Sequence, residues 1–159
     1  MFFLKIYKYY SFFSNLMEEK DIKQLLKFIL EKVNRENIVW RLEGSANLRV
    51  QGVRVKVNDL DLTTNEEGFE FFKKVLKDYT VKNFFNEKTN SYSLVCDVKD
   101  FEVEVGYCLS GELLMFDKVK ELTWEGLKIP VLPLDSAKKF YESIGRKEKV
   151  DLITNHLKS

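Results

Sequence analysis

The stretch Leu42-Glu43-Gly44-Ser45-Ala46-Asn47-Leu48, followed after a loop by Asn58-Asp59-Leu60-Asp61-Leu62, decides how this chain is read. It places a small-residue turn ahead of two carboxylates spaced i and i+2. Alternate side chains of a strand point to the same face, so Asp59 and Asp61 stand about 7 Å apart along the backbone while Leu60 and Leu62 enter the core. Two like charges held that close repel and call for a cation. Paired hard oxygen ligands suit Mg²⁺, which keeps several waters and is held by one or two carboxylates plus phosphates. The turn supplies the complement. After the apolar residues Ile38, Val39, Trp40 and Leu42, Gly44 lets the backbone approach a ligand closely, and a helix starting near Ala46 aims free N–H groups at a phosphate. Both features also have a plain structural reading: Asp59 and Asp61 fit the solvated face of an edge strand, and Gly44-Ser45 fits a strand-to-helix turn with Ser as its cap.

The rest of the chain alternates helix and strand patterns. Ile22, Leu25, Leu26, Ile29, Leu30 and Val33 recur at helical spacing from Asp21 to Asn34, with Asp21 as the expected N-cap. Asn37 to Leu42 reads as the first strand, Ala46 to Gln51 as a short helix ending at Gly52, and Asp59 to Thr63 as the second strand. Asn65 to Tyr79 starts acidic and ends basic, which suits a helix dipole, and offers Phe69, Phe72, Val75 and Leu76 for burial. Tyr92 to Val98 and Phe101 to Tyr107 form an expected hairpin about Lys99-Asp100. A second pair, Leu122 to Trp124 and Leu127 to Leu132, turns at Glu125-Gly126. Helices are expected from about Ser136 to Ile144, stopped by Gly145, and from Arg146 to Leu157.

Composition narrows the classes. A chain of 159 residues suits one domain with a real core. Lys plus Arg (26) nearly cancels Asp plus Glu (25), so no global field draws the chain to a nucleic-acid backbone, and a long nucleic-acid partner is disfavoured. Two cysteines, Cys96 and Cys108, and one histidine, His156, give no zinc pattern and fit a reduced, cytoplasmic protein. Residues 1–20 read as an aromatic arm or helix ahead of a single domain over 21–159. Lys5 and Lys8 interrupt its apolar run, so it is neither a signal peptide nor a membrane span, and self-association into a homodimer is one use for it. The cations Lys138, Lys139, Arg146, Lys147 and Lys149 fit a solvated helix face, with contact by one of them to a bound phosphate as the functional alternative. Trp40, Phe71 and Trp124 read as core.

At Gly44-Ser45 and Asp59-Leu60-Asp61 the chain resembles the nucleotidyltransferase superfamily that shares the polymerase-beta-type catalytic core. The family pattern is an apolar strand, Gly-Ser, a short helix, a variable loop, Asp-x-Asp on the next strand and a third acid on a later one. Residues Asn47 to Val53 and Trp124 to Leu132 are in turn similar to a small, uncharacterised prokaryotic group of nucleotidyltransferase-like proteins, so the resemblance spans roughly residues 22–157. It implies an α/β (α+β) fold, a nucleotidyltransferase-type mixed β-sheet flanked by helices. It also implies a third acid on the Phe101 to Tyr107 strand. Glu104 is preferred, because Glu104-Val105-Gly106 follows the acid-apolar-glycine pattern, and Glu102 is the alternative. Glutamate stands there where aspartate is more usual, and it reaches further.

The implied activity is Mg²⁺-dependent transfer of a nucleoside monophosphate from a nucleoside triphosphate, with ATP the expected donor, to an acceptor with release of pyrophosphate. Two Mg²⁺ ions would sit on Asp59, Asp61 and Glu104, and Gly44 and Ser45 would hold the β- and γ-phosphates. The alternative is a non-catalytic member of the fold that binds a nucleotide or a partner, as an antitoxin-like or regulatory module. The presence of both Asp residues favours the enzyme.

Overall fold

The computed structural model of the chain describes residues 16–159, so the aromatic run expected to form an N-terminal arm lies, up to residue 15, outside the described residues. Helix α1 spans Glu19–Val33. Strand β1 (Trp40–Glu43) runs directly into helix α2 (Gly44–Val50), and β2 (Asp59–Thr64) into α3 (Glu66–Val75). Strands β3 (Thr80–Asn86), β4 (Ser91–Val98) and β5 (Phe101–Cys108) follow as a meander, then β6 (Lys120–Trp124) and β7 (Leu127–Val131), then helices α4 (Leu134–Ser143) and α5 (Lys147–Lys158).

The seven strands form one mixed sheet in the order β3-β4-β5-β2-β1-β7-β6. Its centre is β2, antiparallel to β1 and parallel to β5. Strands β1 and β7 are also parallel. One face of the sheet presents Leu60, Leu62, Val103, Val105, Leu94 and Cys96 to the apolar sides of α1 and α3, where Ile22, Leu25, Leu26, Ile29, Phe69 and Phe72 are buried. A smaller apolar cluster of Leu48, Val53, Leu132, Ala137, Tyr141 and Ile153 fastens α2, α4 and α5 together.

Both two-residue hairpin turns carry left-handed backbone at both central positions: Lys99-Asp100 (φ 53° and 69°) and Glu125-Gly126 (φ 50° and 80°). That conformation matches the right-handed strand twist and closes Val98 on Phe101 and Trp124 on Leu127. Gly145, at φ 73°, ends α4 as the sequence predicts.

Several local expectations shift. Glu18, not Asp21, caps α1. Asp21 sits three residues further on and accepts the Glu18 N–H at 2.8 Å, closing a capping box. Strand β1 starts only at Trp40, the ladder partner of Thr64 at the end of β2; before it the Val39 carbonyl accepts the Thr64 hydroxyl, at 2.6 Å, in place of a ladder bond. The helix expected to reach Tyr79 stops at Val75 and gives way to a 3₁₀ turn over Lys77–Tyr79. Strand β3 has no counterpart in the sequence reading. As a mostly exposed edge strand, it is interrupted by Lys82, Asn83 and Asn86 and shows no clean apolar alternation.

Candidate active site

Register creates the site. Asp61 on β2 is the direct partner of Glu43 on β1 and of Glu104 on β5, so three acids stand in one row across three neighbouring strands. Asp59 pairs with Glu102 in the adjacent row. Residues paired across strands share a face, here the one opposite the α1/α3 core. Neighbouring strands are only about 4.8 Å apart, so these charges crowd one another. Burial holds the Asp61 carboxyl well above the usual carboxylate range, and Asp59, Glu104, Glu43 and Glu102 push it further the same way. Asp59 is raised by burial, then by Glu102 and Glu104, with Lys149 opposing.

The turn after β1 is built around Glu43. Its Oε1 accepts the Gly44 N–H at 3.2 Å, its Oε2 accepts the Thr63 hydroxyl at 3.0 Å, and Arg41 Nη1 lies 2.7 Å from Oε2. Gly44 has φ +67°, and a Cβ built on it would come within 2.5 Å of Asp61 Oδ2. Glycine is required there twice over, for the backbone and for the carboxylate beside it. The Gly44 amide, expected to meet a phosphate, here donates to Glu43. Helix α2 is fixed to the end of β7 by Asn47. Its amide donates to the Leu132 carbonyl at 3.0 Å and accepts the Leu132 N–H at 3.2 Å. Both polar atoms of the buried Asn47 side chain are thereby partnered.

Arg41 is completely buried. Besides Glu43, its Nε donates to the Leu114 carbonyl at 2.9 Å and its Nη2 to that of Leu113 at 3.3 Å, and its guanidinium lies 5.3 Å from the centre of the Phe140 ring. It therefore pins the segment between β5 and β6, and α4, against the floor of the site.

Between this floor and helices α4 and α5 lies a cavity of about 640 Å³. Gly44, Ser45, Asp59, Asp61 and Glu104 all line it, whereas Glu102 is not part of its wall. From the opposite side Lys149 Nζ donates to Ser45 Oγ. Burial and the nearby Arg146 lower the Lys149 ammonium from its ordinary value, while Glu148, Asp61 and Asp59 hold it up. Of the five cations singled out in the sequence, Arg146 and Lys149 reach the cavity wall. His156 lies instead beside Gly52. Tyr141, also in the wall, has its phenol pushed upward by burial and by Glu43 and Asp61. Glu43 and Arg41 are the site residues that the sequence reading missed. Their one signal is the period-2 pattern Arg41-Leu42-Glu43, which puts both on the side away from the buried Leu42.

Among the described residues no three His, Cys, Asp or Glu side chains close together as a finished metal cage. The acid row suits a hard divalent cation nonetheless. It offers only oxygen donors, crowds carboxyl groups against one another and faces the cavity, the setting in which Mg²⁺ uses one or two carboxylates.

Comparison with protein-family models and with curated proteins gives no match. Solved structures do match. A candidate nucleotidyltransferase from Thermotoga maritima superimposes with a TM-score of 0.70 at 23% identity, covering 91% of this chain and 98% of that one. The lincosamide antibiotic adenylyltransferase LnuA, solved with lincomycin bound, gives 0.61 at 14% identity over 88% of this chain and 98% of its own. The antibiotic-resistance factor ANT(2'')-Ia gives 0.63 at 14% identity over 89% and 86%. The chain thus has the polymerase-beta-like nucleotidyltransferase fold that its Gly-Ser and Asp-x-Asp segments resemble.

Proposed function

We propose that this chain is a nucleotidyltransferase that moves a nucleoside monophosphate from a nucleoside triphosphate, ATP being the expected donor, to an acceptor hydroxyl. The observation that carries the reading is the opposition across one cavity of an acid group, Asp59, Asp61 and Glu104, and a cation, Lys149, seated on Ser45. Such a cleft binds a triphosphate at its cationic end and presents the α-phosphate to the acids.

Asp59 and Asp61, with Glu104 beside them, are the residues that would hold Mg²⁺. When bound, such ions neutralise charge on the entering and leaving oxygens of an in-line displacement. The chain's own contribution is positioning and preorganised charge. Ser45 and Lys149 orient the β- and γ-phosphates, and Lys149 meets the negative charge of the departing pyrophosphate. The Glu104 carboxylate, in the wall next to Asp61, accepts the proton of the attacking hydroxyl. Glu102, one row away beside Asp59, supports the local field.

Calorimetry tests the reading. ATP should bind strongly only with Mg²⁺ or Mn²⁺ present, and Asp59→Asn combined with Asp61→Asn should abolish that dependence. Equal ATP affinity in EDTA would overturn it.

A further inference from the structure

Charge in the cavity is segregated. Arg146 and Lys149 belong to the α4–α5 side, with Lys149 on the Ser45 turn, whereas Arg41, in the cross-strand row of Thr63 and Gly106, is buried and engaged by Glu43 and by the Leu113 and Leu114 carbonyls. Beyond Glu104 the wall passes to β4, β5 and the turn before β4, where Thr89, Ser91, Ser93, Gly106 and Cys108 are all uncharged. Ser93 is 7% exposed, and what it exposes faces the cavity.

Gly106 is the second observation. It sits inside β5 between Thr63 of β2 and Ser93 of β4. Its φ is not in the left-handed region, and a Cβ built on it would meet only the Leu62 carbonyl oxygen, at an ordinary 3.7 Å. Neither backbone conformation nor crowding requires glycine there. A glycine inside a strand weakens it and marks close approach by a ligand or another backbone, and among the described residues the neighbouring strand's Leu62 carbonyl is all that comes within 4 Å. The missing side chain keeps cavity space open.

Resting on the nucleotidyltransferase reading, we propose that the space over Gly106 is the acceptor subsite and that it takes an uncharged, hydroxyl-rich small molecule of the sugar or polyol type. Direction follows from in-line displacement. With the triphosphate on Ser45 and Lys149, pyrophosphate leaves toward β1 and the attacking oxygen enters from the β4–β5 side, past Glu104. There the acceptor oxygen forms a bond to the α-phosphorus as the bond from that phosphorus to the bridging oxygen breaks. The bridging oxygen keeps the electron pair and leaves as pyrophosphate, and the hydroxyl proton passes to the Glu104 carboxylate and on to solvent. Thr89, Ser91 and Ser93 offer hydroxyls that both donate and accept, which suits a polyol. An anionic acceptor would meet the row Glu43, Asp61 and Glu104, and the guanidinium in the Gly106 row, that of Arg41, is already taken by Glu43 and by the Leu113 and Leu114 carbonyls.

The test uses the full chain saturated with Mg²⁺ and α,β-methylene-ATP. Saturation-transfer NMR and competition measure the binding of methyl α-glucoside, glucose 6-phosphate and a short RNA. The glucoside should bind, with glucose 6-phosphate and RNA at least about tenfold weaker. Gly106→Val, which suits a strand, should cut glucoside affinity at least about tenfold by filling the space, with nucleotide affinity within about twofold and melting temperature not lowered. Gly106→Ala should give a smaller loss of the same kind, and serves if the valine does not fold. Absence of glucoside binding, equal or tighter binding of the phosphorylated sugar or RNA, or glucoside binding indifferent to both variants would each overturn the proposal. Failure of the unaltered chain to bind the Mg²⁺-nucleotide is a different result, and it would sink the parent reading with this one.

Discussion

Lys149, on the last helix, donates a hydrogen bond to the hydroxyl of Ser45, 104 positions earlier in the chain, across the cavity whose floor carries Asp59 and Asp61. The ammonium is partly desolvated and poised over the turn, so its removal should be felt by bound phosphate more than by the fold. Lys149→Met should weaken Mg²⁺-ATP binding by about 10- to 100-fold, the worth of a hydrogen bond to a charged group. The melting temperature should move little. Isothermal titration beside a thermal melt separates the two effects.

Gly44→Ala should damage both stability and activity. The backbone is at φ +67° and the new methyl would collide with Asp61 Oδ2. A cost of about 1–3 kcal/mol is expected from forcing a non-glycine residue into that conformation beside a fixed neighbour. Urea unfolding should show a lower midpoint at unchanged slope, and nucleotide binding should fall because Asp61 is displaced.

Asp61 should make the metal-free site less stable as pH rises. Its carboxyl is raised in the folded chain from an ordinary value of 3.8, by burial first and then by Asp59, Glu104, Glu43 and Glu102. The folded state therefore holds the proton more tightly than the unfolded one. That advantage is complete below the unfolded value and is lost as pH rises through the folded one. Metal-free protein should lose stability as pH climbs from about 4 toward neutrality. Asp61→Asn should flatten the profile and raise stability at pH 7 while destroying Mg²⁺-dependent ATP binding. Thermal melts across pH in chelator read both outcomes.

Arg41→Met should be the most disruptive of these changes. It would strand the Glu43 carboxylate and leave the Leu113 and Leu114 carbonyls without their donor. Breaking a buried ion pair from one side costs about 3–5 kcal/mol. Loss of the folded baseline in a urea titration near room temperature is the expected reading, with a double Arg41→Met, Glu43→Gln variant recovering part of it.

Much of this molecule was legible because its patterns are local. Helices α1 and α3 show 3.6-residue periodicity, strands β2 and β5 show period-2 alternation, and both hairpin turns have short polar or glycine-containing links. The acids could be read because Asp59-Leu60-Asp61 and Glu102-Val103-Glu104 each put two carboxylates on one face. What stayed hidden depends on contacts distant in sequence. Choosing between Glu102 and Glu104 requires the register of β2 on β5. Singling out Lys149 among five cations requires knowing how α5 folds back. Arg41 looks like the exposed residue of a half-buried strand until the Leu113 and Leu114 carbonyls close over it. Edge strand β3 lacks the burial that imprints a pattern, so it left none.

The reach of Lys149 back to Ser45 also sets when the cleft can exist during synthesis. The acids on β2 are made early, their neighbour on β5 later, and the cation that faces them only with the last helix. Until α5 has emerged from the ribosome and docked, the nascent chain holds crowded carboxylates with no ammonium opposite. The acid row and the ammonium that faces it are thus brought together by folding alone: one comes from β2 and β5, the other from α5, and the cavity gains its second wall only when α5 docks.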